Sequence, residues 1–231
     1  MAGAQLLIAH AVKLAILATL VGLFVTRRHR QCWSVTAYLV VALIGNSMTS
    51  FWPERFYNYH FYAGRQAIFD ALKLLIALEL SQKVFATFPG AMSRWRVIAC
   101  AVVLVTAFAV VFGGDSNDGA HVAYEWQPRI VAGAIWILCA IALLVAWHRL
   151  PIGAWHYAIL IGYVPYLLVF TTLLNIIRKL GWSVAPAVGI ADSLAYLALI
   201  LWWAWAAWRP EERAPAAGAR VPERLVLEPT A

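Results

Sequence analysis

The sequence predicts an all-α polytopic membrane protein, folded as a single bundle of seven transmembrane helices with its N-terminus outside and its C-terminus in the cytoplasm. Composition is the first observation. The chain is 63% hydrophobic and 13% charged, with a mean hydropathy of +0.74, whereas a soluble domain is about 45–50% apolar and about 25% charged. With so few charged residues, the chain cannot cover the surface of a water-soluble globule with polar groups. Most of the chain is therefore expected to be surrounded by lipid.

The second observation is the spacing of apolar runs, each long enough to cross about 30 Å of hydrocarbon. A transmembrane β-barrel would instead show alternating segments of about ten residues. We therefore expect residues 1–208 to form the helical bundle, and the Pro- and Ala-rich residues 209–231 to form a disordered cytoplasmic tail. The seven expected spans are approximately 5–25, 33–52, 66–86, 97–113, 130–147, 157–177 and 188–208.

The third observation is the placement of basic residues, which are concentrated in cytoplasmic loops of inner-membrane proteins. Arginines cluster in the first, third and fifth loops and in the tail, whereas the basic residues of the other loops are diluted by acidic ones. This predicts the N-out, C-in orientation in a bacterial cytoplasmic (inner) membrane. The formal net charge of +7 reflects this excess of basic residues. It also gives some attraction to anionic lipid head groups, so no nucleic-acid partner is needed to explain it and none is expected.

Ionisable and amide side chains inside the spans indicate a possible site. A central charge costs roughly 2.5–3.5 kcal/mol in hydrocarbon, so such residues face the bundle or water. Because successive helices run in opposite directions, the polar groups of five spans are expected in the outer leaflet. The candidate residues are His10, Lys13, Asn46, Asp70, Lys73, Asn175, Asp192 and Ser193.

This polar set has two interpretations. Two anions and two cations can pair internally, forming a clamp that fixes which helices adjoin, with each contact worth about 0.6–2 kcal/mol. Alternatively, the set lines a water-accessible outward pocket for a small polar ligand, an ion or a proton. One arrangement can serve both roles, and the sequence leaves both open.

Two further features of the helices have structural interpretations. Glu79 and Lys83 lie four residues apart in the favoured order for a helical ion pair, and we expect them to pair. Pro165 lies well inside the sixth span, where its ring removes a backbone hydrogen bond. We therefore predict a hinge at Pro165.

Motifs for catalysis, metals and cofactors are missing from the sequence. Cys32, Cys100 and Cys139 have no C-x-x-C spacing, no HExxH motif occurs, and no nucleophile turn of the form GxSxG is present. The seventh span has no lysine to attach retinal. An intramembrane dyad of Asp70 and Asp192 would lack any flanking motif. We therefore expect no enzyme, no cofactor and no metal site.

The segment FYNYHFYAGRQAIFDALKLLIALELSQKVF, residues 56–85, resembles a stretch of bacterial seven-helix membrane proteins that are common in Acidobacteria and have no assigned activity. In those proteins an aromatic segment precedes a helix with an acidic residue, which Asp70 matches, and ELSQKVF corresponds to the helix end. The resemblance implies a seven-helix fold and no particular mechanism.

These observations favour a receptor-like sensory module whose outward pocket binds a signal and whose output passes through a membrane or cytoplasmic partner protein. A small transporter or proton-coupled carrier is the second hypothesis, although alternating access places polar groups at the midplane and along an inward exit. An accessory subunit of a larger membrane complex is the third.

Overall fold

The computed structural model describes residues 2–56, 58–86, 127–148 and 152–210, and every regular element in these ranges is a helix. The prediction of an all-helical protein is therefore confirmed for this part of the chain. The expected fourth span, residues 97–113, and residues 211–231 of the expected tail lie outside the described residues.

Seven α-helices are described, and two short 3₁₀ turns connect some of them, at Arg28–Arg30 and Trp182–Val184. The short helix α3 comprises a single turn, and it places the start of α4 close to the end of α2. The helices are α1 (Ala2–Val25), α2 (Trp33–Phe51), α3 (Pro53–Phe56), α4 (Tyr59–Phe85), α5 (Gln127–His148), α6 (Ala154–Leu180) and α7 (Ala185–Trp208).

Four of these helices are long and apolar enough to cross a membrane: α1 from Leu6, α2, α6 and α7. Helix α4 has the same 27-residue length as α6, which corresponds to roughly 40 Å at 1.5 Å per residue. It is less apolar because it contains five charged residues. Helix α5 contains a shorter apolar stretch, Gly133–Val145. The four apolar helices support a membrane protein in general.

The six long helices pack as a closed ring. Helix α1 contacts α2 and α7, α2 contacts α4, α4 contacts α5, α5 contacts α6, and α6 contacts α7. Apolar side chains such as Ile16, Leu39, Ile76, Leu138 and Ile159 form the core of the ring and are all fully buried. The ring brings helices that are distant in sequence to one central volume.

The outer surface of the ring is apolar. Leu7 and Leu14 on α1 are 72% and 68% exposed, and Trp136 and Trp147 on α5 are 76% and 79% exposed. Large apolar side chains on this scale are unusual on a protein surrounded by water. Their outward placement therefore agrees with a lipid environment.

One end of the ring, where α2 begins and α7 ends, is closed by charged side chains that cap helix termini. The buried guanidinium of Arg28 donates to the backbone carbonyls of Ala206 and Arg209, the latter at 2.8 Å. A cation at a helix C-terminus satisfies the last carbonyls and complements the helix dipole. Arg28 thereby attaches the loop after α1 to the end of α7.

The carboxylate of Glu79 caps the beginning of α2 at the same end. It accepts hydrogen bonds from the backbone N–H groups of Trp33 at 3.1 Å and Ser34 at 2.9 Å, from the Ser34 hydroxyl, and from the Cys32 thiol at 3.4 Å. An anion is stabilised there because the first N–H groups of a helix have no partner within it. The expected Glu79–Lys83 ion pair is therefore not formed: within the described residues the ion pair is Lys73–Asp70.

Candidate ligand-binding site

A half-open cavity of about 470 Å³ lies inside the ring, in the range of about 300–1,000 Å³ that small-molecule sites occupy. Five helices line it: α1, α2, α4 and α7 contribute polar side chains, and α6 contributes Tyr166 and Phe170. The polar lining residues are Lys13, Asn46, Thr49, Ser50, Arg65, Gln66, Lys73, Asp192 and Ser193. The aromatic lining residues are Tyr38, Phe69, Tyr166, Phe170 and Tyr196.

The directions of the helices explain why these residues meet. The polar lining residues of α1 and α7 lie in the first half of each helix, those of α4 extend from Arg65 to Lys73 near its middle, and those of α2 lie in its second half. Because α2 runs in the opposite direction to α1, α4 and α7, these parts of the helices coincide at one end of the ring. We call this the cavity end. It is opposite the end that Arg28 and Glu79 cap.

Helices α1 and α2 are joined at the cavity by a hydrogen bond between side chains. The Lys13 ammonium donates to the Ser50 hydroxyl at 2.6 Å. Thr49, the neighbour of Ser50, donates back to the Gly45 carbonyl at 3.0 Å within α2. A lysine is therefore anchored at the wall by a neutral partner.

The deeper wall contains an ion pair. The ammonium of Lys73 lies 2.9 Å from Asp70 Oδ1, and both side chains are buried. Asp70 also accepts a hydrogen bond from Gln66 at 3.2 Å, and the Lys73 ammonium lies 4.7 Å from the centre of the Phe170 ring. Asp70 thus orients Lys73, while Lys73 and Gln66 face the cavity.

Asp192 lines the cavity from α7 and differs from Asp70 in its contacts. Its Oδ1 atom is buried and has no hydrogen-bond partner among the described residues. Lys73 attracts Asp192 electrostatically, but lies beyond ion-pair distance, since the ion pair of the described residues joins Lys73 to Asp70. An unsatisfied buried carboxylate oxygen is costly, and a hydrogen-bond donor that reached it would reduce that cost.

Arg65 is a lining residue that sequence reasoning missed. Its side chain packs against Gly45 of α2, where an added Cβ would lie 2.8 Å from Arg65 Cδ. Its guanidinium lies 5.7 Å from the centre of the Phe69 ring, at a distance suited to a cation–π contact. The expected span began at residue 66, one residue too late to include Arg65, whereas α4 begins at Tyr59.

The side of the cavity that faces the capped end is closed by an aromatic floor, which sequence reasoning also missed. Tyr38, Tyr163 and Trp203 are almost fully buried, and Tyr166 and Tyr196 contact one another at a ring distance of 5.5 Å. Tyr163 and Trp203 also lie 5.5 Å apart. Tyrosines at these spacings look like ordinary hydrophobic positions in the sequence, so only the packing identifies the floor.

Three predicted residues lie apart from the cavity wall. The side chains of His10 on α1 and Asn175 on α6 are exposed, and neither belongs to the set that lines the cavity. Pro165 is exposed within the continuous helix α6, and its role as a hinge stays a prediction. Lys13, Asn46, Lys73, Asp192 and Ser193 line the cavity, and Asp70 supports the wall.

The described residues contain no group of three or more His, Cys, Asp or Glu side chains that could hold a metal ion. No family model, curated protein or solved structure matches the chain. Nothing in these comparisons indicates catalysis, and the cavity geometry is the basis for assigning a function.

Proposed function

We propose that this protein is a receptor-like sensory module of the bacterial inner membrane, with seven transmembrane helices, its N-terminus outside and its C-terminus in the cytoplasm. The cavity is open to the outside and binds a small polar ligand. The protein has no catalytic role, and a membrane or cytoplasmic partner protein receives its output.

The observation that supports this proposal is the contrast between the two ends of the ring. Four helices, α1, α2, α4 and α7, contribute the polar side chains of the cavity end. In the part of the chain that the structure describes, the aromatic floor separates the cavity from the end at which Arg28 and Glu79 cap α7 and α2. A carrier needs a polar route to both sides of the membrane, whereas a receptor needs a site that is reached from one side.

A path for the signal follows from the contacts of α7. This helix supplies Asp192 and Tyr196 to the cavity, and its last carbonyls are held by Arg28. A ligand changes an equilibrium only if it binds two states with different affinities. A ligand that draws α7 toward α1 or α4 therefore alters the position of the helix end that Arg28 holds.

The orientation is tested by labelling single cysteines in intact cells with a membrane-impermeant maleimide. In a variant with Cys32, Cys100 and Cys139 replaced by alanine, Ser193→Cys is expected to react. Lys83 lies in the last turn of α4, at the end of the ring opposite the cavity. Lys83→Cys is therefore expected to react only after the cells are permeabilised. The reverse result would overturn the orientation.

The receptor role is tested by complementation of a deletion strain. Asp192→Asn is expected to abolish complementation at normal protein level, while Glu54→Gln, an exposed acidic residue of α3, is expected to preserve it. Full complementation by both Asp70→Asn and Asp192→Asn would overturn the proposal. Substrate uptake into proteoliposomes would favour the carrier, and copurification of a stoichiometric membrane partner would favour the accessory subunit.

A further inference from the structure

The cations of the cavity wall differ in whether they are already neutralised. Lys73 is paired with Asp70 at 2.9 Å. Lys13 has a neutral partner, the Ser50 hydroxyl. Arg65 stacks on Phe69, and neither Lys13 nor Arg65 has a carboxylate oxygen within 4.0 Å among the described residues. Two positive charges, on the helices that flank α2, therefore face the cavity without a protein anion.

The opposite charge comes from a different helix. Asp192 on α7 lines the same cavity, and its buried Oδ1 atom has no hydrogen-bond partner in the described part of the chain. A buried carboxylate of this kind is stabilised by an incoming N–H donor, most strongly by a protonated amine. The aromatic side chains of Tyr166, Phe170 and Tyr196 lie on the same wall, and aromatic faces also attract ammonium groups.

We propose that the cavity binds a small zwitterion, with its anionic group held by Lys13 and Arg65 and its protonated amine held by Asp192. This inference rests on the proposed function and names the ligand class of the same site. A ligand with one negative and one positive group satisfies both kinds of unpaired wall charge, whereas a simple anion would leave the Asp192 oxygen unsatisfied and a simple amine would leave two cations without a counter-ion.

Two sources provide this chemistry. A free amino acid presents a carboxylate and an ammonium group, and the head group of phosphatidylethanolamine presents a phosphate and an ammonium group. The quaternary amine of phosphatidylcholine has no N–H to donate to Asp192, so phosphatidylcholine nanodiscs provide a suitable background for the measurement.

The test compares three probes that share a phenylethyl group, titrated calorimetrically into the full chain in phosphatidylcholine nanodiscs. L-Phenylalanine has both charges, 3-phenylpropanoate lacks the amine, and 2-phenylethylamine lacks the carboxylate. We expect L-phenylalanine to bind at least about tenfold more tightly than either of the other probes. Only L-phenylalanine can form charge-assisted hydrogen bonds with both its groups, and such bonds are stronger than those between neutral groups. Equal affinity for all three probes, or no saturable binding of any at millimolar concentration, overturns the proposal.

Variants assign each charge to its residue. Asp192→Asn is expected to remove the advantage of L-phenylalanine over 3-phenylpropanoate, and Lys13→Met is expected to reduce its advantage over 2-phenylethylamine. The matched controls, Glu54→Gln and Lys83→Met, are exposed residues outside the cavity and should leave all three affinities unchanged. Loss of binding to the same extent with all probes would show a structural defect and would overturn these assignments.

The source is distinguished by adding phosphatidylethanolamine to the nanodiscs. If the lipid head group occupies the cavity, the affinity for L-phenylalanine falls as its fraction rises, and Asp192→Asn abolishes that competition. If a free zwitterion is the ligand, the affinity is unchanged. A failure of ligand selectivity with normal outward labelling of Ser193→Cys would reject the ligand class alone, whereas inward labelling would reject the proposed function.

Discussion

Lys73 lies 2.9 Å from Asp70, one turn earlier on α4, and both side chains are buried in the wall of a cavity. The same ammonium also attracts Asp192 on α7. One cation therefore interacts with two carboxyl groups on two helices. Removing the Lys73 charge and removing the Asp70 charge should consequently have unequal effects on stability.

Lys73→Met is expected to destabilise the protein more than Asp70→Asn does. The methionine leaves both Asp70 and Asp192 without their cation, whereas the asparagine leaves Lys73 beside Asp192. Removing one member of a buried ion pair costs about 3–5 kcal/mol. Thermal unfolding in detergent measures the order, with Lys83→Met as the control on the same helix, and a larger loss for Asp70→Asn would contradict it.

Glu79→Ala is expected to lower the free energy of unfolding by about 1.5–3 kcal/mol, since hydrogen bonds to a charged group of this kind are lost from the beginning of α2. Glu79→Gln should cost less because the amide oxygen still accepts one bond. Unfolding in SDS measures the effect, with Gln82→Ala as the exposed control. If Lys83→Met lowered the free energy of unfolding as much as Glu79→Ala does, an ion pair with Lys83 would explain the role of Glu79 better than the α2 cap.

The Cys32 thiol is expected to react slowly with maleimide in the folded protein. Burial and the nearby Glu79 carboxylate raise its pKa to about 12, so at pH 8 about one thiol in ten thousand is ionised. The labelling rate of a Cys100→Ala, Cys139→Ala variant should rise about tenfold per pH unit up to pH 10. After unfolding in SDS it should level off near pH 9, and fast labelling of the folded chain at pH 7.5 would refute the burial.

Gly162→Ala is expected to destabilise the contact between α6 and α7 by about 1–3 kcal/mol through overpacking. A Cβ at position 162 would lie 2.7 Å from Trp202 Cδ1, and Trp202 is held in place by its 2.8 Å hydrogen bond to the Ala158 carbonyl. Gly189→Ala on α7 is the matched control, because a Cβ there meets nothing within 4 Å. Equal unfolding temperatures for the two variants would disprove the close contact.

The convergence of the polar residues could be predicted because it depends on counting alone. Once successive helices alternate in direction, Lys13, Asn46, Lys73 and Asp192 fall at one end, and the structure places all four on the cavity wall. Helix bounds were harder to predict, because α4 continues outward through polar and aromatic residues that interrupt the apolar run.

Contacts between distant segments could not be predicted from the sequence. Glu79 has a basic residue at the favoured helical spacing, and only the fold shows that the beginning of α2, some 45 residues earlier, supplies its N–H donors. Arg65 and Tyr38 were missed for a similar reason. Their types are ordinary at membrane interfaces or in cores, and their importance depends on which helix faces them.

In the proposed orientation, the Arg28 cap links the cytoplasmic end of α7 to the cavity. Its guanidinium bonds the carbonyl of Arg209, the residue from which the remaining 22 amino acids extend. A protein that pulled on those final residues would strain this bond and shift α7, and the force would reach Asp192 from below. Coupling between two sites is reciprocal, so under the proposed function a partner bound to these residues would also change the affinity of the cavity for its ligand.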